Sequence, residues 1–168
     1  AWLADWREQR PLLPKLLPFA LVAILAFPLY QTVVDGRDLV SRSKAPNHYA
    51  GAALFLRAQT ADTDAMVFQT DWDDFTRLFF YNTEATYTAG LDPTYLQLQD
   101  PEMYDEWVAI TRGRVENPGV IIRDRYGASY VFSDLKHDDF IDEATADPLL
   151  TEIYRDDYAI IFAVDSAP

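Results

Sequence analysis

The stretch "TDWDD" holds three carboxylates around an indole ring, contributed by Asp71, Trp72, Asp73 and Asp74. Carboxylate oxygens accept hydrogen bonds from sugar or peptide groups, and a tryptophan offers a flat apolar face on which a ligand can stack. We therefore predict these four residues as a candidate substrate-binding site.

The same residues allow two other interpretations. Asp-x-Asp after an apolar strand holds Mg²⁺ in several phosphotransferases, because magnesium prefers carboxylate oxygens, so Asp71 and Asp73 could hold a divalent cation. Alternatively, Asp71 or Asp73 caps the helix that follows by accepting a hydrogen bond from an exposed backbone N–H group, and Trp72 packs beneath it. The residue types alone leave all three hypotheses open.

The rest of the chain supports no catalytic residue and no other metal or cofactor site. Without cysteine and with only two histidines, a thiolate nucleophile is excluded and a histidine-rich metal site is disfavoured. The six glycines form no phosphate-binding loop, and no serine lies in a G-x-S-x-G pattern. We interpret "KHDD", residues 136–139, as the start of a helix, with His137 partly solvated and without a chemical role.

Local patterns place the aspartates just after a buried strand. "AMVFQ", residues 65–69, is a short apolar run of the kind buried in parallel sheets, and an aromatic helical pattern follows it. "ASYVFSD", residues 128–134, is a second such run, with helical patterns between the two. We predict that these strands are parallel and bury Val67 and Val131. The candidate site then lies at the carboxyl end of the sheet, where open α/β folds bind ligands.

The complete pattern predicts an α/β fold. It consists of one N-terminal membrane-type helix, a small, mainly parallel sheet flanked by helices, and a C-terminal β-hairpin that turns at residues 156–157. The first helix after the connector is predicted over residues 47–61, with Asn47 as its cap. Helical spacing predicts Phe75 and Phe79 as core residues.

An apolar segment precedes this fold. Residues 16–34 form a run of 19 uncharged residues, close to the ~20 that span a bilayer core as a helix. We predict a membrane-spanning helix and connector over residues 1–44 and an acidic domain over residues 45–168, with a long buried helix of a soluble protein as the alternative. Because the chain begins without methionine, we expect it to be a piece of a longer protein.

The charge of the chain is concentrated in its larger part. The net charge is −13, and residues 45–168 hold eight Lys and Arg against 23 Asp and Glu. A field of this sign repels nucleic acid, and no basic stripe offsets it. Nucleic acid is therefore excluded as a partner.

Several phrases together resemble a known family. The segments that carry the resemblance are "HYAGAALFLRAQT", "TDWDDF", "GLDPTYL" and the closing "YGASYVFSD" and "YRDDYAIIFAV". The order of these elements resembles that of the C-terminal extracytoplasmic domains of bacterial integral-membrane glycosyltransferases of the GT-C class. The resemblance implies transfer of sugar from a polyprenyl-phosphate donor by aspartates in membrane loops upstream of this chain. It also implies a location at the cell membrane, with the acidic domain outside the cytoplasm and no complete active site in it.

In one branch of that class, a Trp-Trp-Asp motif after a strand helps to bind the acceptor peptide. Only Trp72 and Asp73 match that motif, because Asp71 stands where the first tryptophan would be. The expected role is thus acceptor binding or assembly for sugar transfer. Two other function classes remain open: a non-catalytic binding module of the cell envelope, and a soluble Mg²⁺-dependent phosphotransferase that uses Asp71 and Asp73.

Overall fold

The computed structural model describes residues 13–165, and side chains from residue 17 onward. The chain divides into two compact units, one ending at Lys44 and the other beginning at Ala45. Each unit is described by itself.

The first unit is a single long helix, α1 (Leu13–Arg42), with Pro18 and Pro28 inside it. The stretch from Leu17 to Arg42 is long and apolar enough to cross a membrane, and none of its residues is buried. These properties fit either a membrane span or a signal sequence. Leu21, Ile24 and Leu25 are 57–68% exposed, so the apolar surface of the helix is unmatched, as predicted.

The helix extends beyond the predicted apolar run. We expected a polar connector after residue 34, but the helix continues through Gly36 to Arg42. An ion pair of 2.6 Å between Asp38 and Arg42, one helical turn apart, supports this last part. Apolar periodicity does not reveal ion pairs of this kind, so the sequence pattern predicts that the helix ends several residues before Arg42.

The second unit is a three-layer α/β fold. Its helices are α2 (Ala50–Thr60), α3 (Phe75–Tyr81), α4 (Thr94–Gln99), α5 (Pro101–Thr111), α6 (Gly119–Asp124) and α7 (Asp138–Ala146). Its strands are β1 (Met66–Gln69), β2 (Thr86–Tyr87), β3 (Ala128–Asp134), β4 (Leu150–Arg155) and β5 (Ala159–Val164).

The five strands form one sheet in the order β2-β1-β3-β5-β4. β1 pairs with β2 and with β3 in parallel, whereas β5 pairs antiparallel with β3 and with β4. Val67 and Val131 are fully buried, so the prediction of two buried parallel central strands is confirmed. The C-terminal hairpin is also confirmed: β4 and β5 are joined by a turn of three residues, 156–158.

Alternation along the central strands creates a core on each face of the sheet. Val67 and Phe132 face a cluster with Tyr49 and Leu56 of the α2 segment and Leu78 of α3. Their neighbours Phe68 and Val131 face the opposite cluster, to which α5, α6 and α7 contribute. Successive side chains of a strand point to opposite faces, so each short strand serves both layers.

Two helical details differ from the sequence prediction. The helix predicted from residue 47 begins at Ala50, after the buried residue Tyr49, so Asn47 does not cap it. Phe75 is partly buried against the core, but Phe79 is 42% exposed and stacks on Phe75 at a ring distance of 5.2 Å. In a helix of seven residues only one narrow stripe faces the sheet, and Leu78 occupies its centre.

Candidate functional site

The loop after β1 is fixed to the end of β3. The Thr70 backbone N–H donates to the Phe132 carbonyl at 3.2 Å, and the Thr70 hydroxyl donates to the Ser133 hydroxyl at 3.0 Å. Because β1 and β3 are parallel neighbours, their carboxyl ends meet at one edge of the sheet. The residues that follow each strand, 71–74 and 135–137, therefore come together.

The three carboxylates of the candidate site form a close cluster. One oxygen from each of Asp71, Asp73 and Asp74 can be chosen so that all lie within 4.8 Å of one another. Their exposure differs: Asp74 is buried, Asp71 is partly buried and Asp73 is exposed. The geometry of the cluster could thus hold a metal ion, although the three carboxylates differ in burial.

The structure places the helix cap on a residue that we did not predict for it. The cap position of α3 falls on Asp74, and the Asp74 side chain makes no cap hydrogen bond. Neither Asp71 nor Asp73 occupies that position, so the capping hypothesis is wrong as stated. Asp73 has no side-chain hydrogen bond or ion pair to any part of the chain that the structure describes, and its carboxylate is open to solvent.

The indole of Trp72 is open as well. Its side chain is 42% exposed, instead of packing beneath the helix as the capping hypothesis required. The loop therefore presents an apolar ring face and an exposed carboxylate side by side to solvent.

A buried carboxylate lies at the carboxyl end of β3. Asp134 is the last residue of β3 and is 2% exposed. Its Oδ2 atom accepts a hydrogen bond of 3.3 Å from the Tyr49 hydroxyl, and its Oδ1 atom accepts one of 3.0 Å from the Lys136 backbone N–H. These contacts fix the turn that leads from β3 to α7.

His137 joins the two loops. Its Nδ1 atom lies 3.1 Å from the Thr111 carbonyl oxygen, and its Nε2 atom lies 3.9 Å from Asp71 Oδ2 and 3.8 Å from Asp134 Oδ1. A carbonyl only accepts, so the nitrogen that donates to it is Nδ1–H, and a second proton on Nε2 would face two carboxylates. The separations to the carboxylates exceed a hydrogen bond and correspond to ion pairs.

These contacts raise the pKa of His137. The Asp71 carboxylate contributes most, burial opposes it, and the Asp134 charge and the Thr111 carbonyl add to the increase. The imidazolium is therefore favoured, and Asp71 faces a positive charge over a wider pH range than it would beside an ordinary histidine.

The sequence predicted a partly solvated His137, and its side chain is 25% exposed; its proximity to Asp71, at 3.9 Å, was not predicted. Asp71 and His137 lie 66 positions apart, so no local spacing connects them. The signal that could have found the pair is topological: both residues directly follow strands that were predicted to be parallel and buried. Polar residues after neighbouring parallel strands meet at the same edge.

A cleft of about 440 Å³ opens on the other side of His137. Its walls are formed by the end of α5 and the start of α7, through Thr111, Arg112, Arg114, Lys136, His137, Asp138, Asp139 and Phe140. None of the four predicted site residues lines it. The edge of the sheet thus carries an acidic loop, residues 71–74, and a separate basic cleft, with His137 between them.

Comparison with protein-family models, with curated proteins and with solved structures gave no match to this chain.

Proposed function

We propose that residues 45–165 are the extracytoplasmic recognition domain of a membrane-anchored, glycosyltransferase-like protein, and that the acidic loop binds the acceptor. The observation that carries the proposal is the pair formed by Trp72 and Asp73. Both side chains are exposed at the carboxyl end of β1, and Asp73 has no side-chain partner within residues 17–165.

The chemistry of this pair suits a hydroxyl-rich ligand. Sugar hydroxyls donate hydrogen bonds, which an unpaired carboxylate accepts more strongly than a neutral group does. The C–H face of a sugar ring is apolar and packs on an indole, so one side chain would orient the ring and the other would hold it. Asp71, held beside His137, would define one side of the site.

The proposed role is binding without catalysis in this part of the protein. Sugar transfer from a lipid-linked donor would be carried out by a segment upstream of the chain, in the membrane. α1 supports the membrane attachment because its surface from Leu17 to Arg42 is apolar and unburied. A non-catalytic cell-envelope module would bind the same class of ligand but would not need the upstream segment.

The test is carbohydrate binding by the complete chain in phosphatidylcholine nanodiscs. Saturation-transfer NMR with a panel of neutral oligosaccharides should show binding that weakens at least tenfold in W72A and in D73N. Asp157→Asn is the matched control, because Asp157 is also exposed and also lacks a side-chain partner within residues 17–165. Melting temperatures should stay the same in D73N and D157N. Binding that persists in both W72A and D73N would refute the proposal.

A divalent cation at Asp71, Asp73 and Asp74 is the second candidate, supported by the 4.8 Å limit on their oxygen separations. Two Ca²⁺–O bonds of about 2.3–2.6 Å can span such a separation, whereas Mg²⁺, at about 2.0–2.1 Å, draws its ligands closer together. The positive charge favoured on His137, 3.9 Å from Asp71, opposes a cation there. Calorimetric titration with CaCl₂ and MgCl₂, and oligosaccharide binding in the presence of EDTA, separate the two candidates.

A further inference from the structure

The cations of the second unit fall into two groups. Eight Lys and Arg lie in residues 45–168, and four of them, Arg57, Arg123, Arg125 and Arg155, form ion pairs with acidic neighbours. Arg77 also has an interaction partner. Arg112, Arg114 and Lys136 form no side-chain hydrogen bond or ion pair with any side chain from residue 17 to 165, and all three line the cleft beside His137.

This convergence is not explained by the composition of the unit. Residues 45–168 contain 23 acidic residues, so an exposed lysine or arginine has many chances to find a carboxylate. All three cations without a partner nevertheless lie in the wall of one cavity. Their mutual repulsion is unfavourable until an anion enters, and an entering anion would interact with all three.

The backbone brings the arginines to the cleft through a close contact. Gly113, between Arg112 and Arg114, has a φ of +61° after the end of α5. A Cβ atom at this position would lie 2.5 Å from the carbonyl carbon of Asp139, in the first turn of α7. Only glycine therefore lets this loop approach α7 so closely, and the approach places both arginines in the same wall as Lys136.

We propose that this cleft binds a phosphate group, as free phosphate or as a phosphate ester. Guanidinium groups donate in a planar fork that matches phosphate oxygens, and an ammonium group adds a mobile donor. Asp138 and Asp139 also line the cleft, so three positive charges face two negative ones, and His137 adds to the positive side when protonated. The volume of about 440 Å³ leaves room for an organic substituent on the phosphate.

The site is distinct from the proposed acceptor site, and it does not depend on it. A phosphate could come from a soluble ester or from a lipid headgroup, because both present the same dianionic oxygens. The chemistry of the cleft recognises that shared group, and the experiment has to distinguish the two sources.

The experiment uses the complete, ¹⁵N-labelled chain in phosphatidylcholine nanodiscs at constant ionic strength, titrated with inorganic phosphate in exchange for chloride. Backbone amide signals of residues 111–114 and 136–139 should shift and saturate. The double variant R112Q/R114Q should raise the dissociation constant at least tenfold. R123Q/R155Q is the matched control, because it removes the same charge from exposed surface ion pairs, and it should change the constant less than twofold.

Two further arms identify the source of the phosphate. Saturable shifts with glycerol 3-phosphate in the same nanodiscs would assign a soluble ester. Shifts in nanodiscs that contain phosphatidic acid, without shifts from glycerol 3-phosphate, would assign a lipid headgroup. Shifts that never saturate, or equal weakening in both double variants, would overturn the proposal. If R112Q/R114Q does not fold, Lys136→Gln replaces it, and unchanged phosphate affinity in K136Q would count against the site.

Discussion

The acidic loop and the basic cleft on either side of His137 are opposite in charge and differ in how firmly their side chains are held. Asp71 lies beside the histidine and Asp74 is buried, so among the carboxylates of the acidic loop Asp73 is the one that is open and has no side-chain partner within residues 17–165. The cleft instead presents three exposed cations without partners in that range. Both proposals thus depend on side chains that the fold leaves exposed at this edge, whereas Asp71 and Asp74 have partners within it.

The largest effect is expected from a substitution that disrupts the basic cleft and leaves the acidic loop intact. G113A should lower the free energy of unfolding by about 2–5 kcal/mol, because its Cβ meets the backbone of Asp139 at 2.5 Å and its φ is positive. Gly127→Ala is the matched control: its φ is +64° and nothing lies within 4 Å of an added Cβ. It should therefore lose only about 1–2 kcal/mol.

Urea unfolding followed by circular dichroism measures both variants. G113A should also lose phosphate binding while it retains oligosaccharide binding under conditions where it is folded. An equal loss of stability in G113A and G127A would contradict the role given to the close contact with α7.

The next comparison lies within the acidic loop. D74A should lower the free energy of unfolding by about 1–3 kcal/mol, because Asp74 is fully buried at the start of α3 and its removal leaves interacting groups unsatisfied. D73A should change it by less than about 0.5 kcal/mol, because that carboxylate is exposed. Thermal and urea unfolding of the two variants check this, and a D73A protein as unstable as D74A would mean that Asp73 is structural.

A smaller effect concerns the contact between the two regions. D71N should lower the pKa of His137, since the Asp71 carboxylate is the main cause of its increase. The Cε1–H signal of the histidine, followed by NMR from pH 5 to 9, reports the change. His48, whose ring contacts Tyr49 and Tyr158, provides the second histidine signal as an internal reference. An unchanged titration of His137 in D71N would show that the ion pair does not form.

The sequence was most informative where neighbouring residues determine the structure. Short apolar runs of β-branched and aromatic residues located β1 and β3, and the Asp156-Asp157 pair located the hairpin turn, because these features need only local chemistry. Helix starts were less accurate. A cap contributes only about 1 kcal/mol, whereas burial of Tyr49 contributes more, so the core and not Asn47 decides where α2 begins.

The candidate site was less predictable than the fold for a similar reason. The four residues of the acidic loop form one local chemical pattern. The contact of Asp71 with His137 instead joins the loops after β1 and β3, and the cleft depends on the close approach of Gly113 to the start of α7. Such contacts join residues far apart in the chain. The left-handed Gly113 that permits the packing has no signature apart from its position after a helix.

The smallest predicted effect is a change of stability with pH. The pKa of His137 is raised above its ordinary value of 6.5, so the folded state binds the imidazole proton more tightly than the unfolded state does. This stabilisation is fully present below the unfolded pKa and is lost as the pH rises through the folded pKa. Because His137 and Asp71 are 25% and 35% exposed, water screens the pair and the contribution stays within about 1 kcal/mol.

H137Q should therefore be less stable than the unaltered chain near pH 5.5 and should approach its stability toward pH 9, as the imidazole of the folded chain loses its proton. Urea unfolding at the two pH values measures the difference. D71N should show the same convergence toward high pH, since removal of either partner abolishes the same ion pair. A difference that grows with pH would instead mean that neutral His137 is the form held in the fold, and the charge contrast between the acidic loop and the basic cleft would then need another basis.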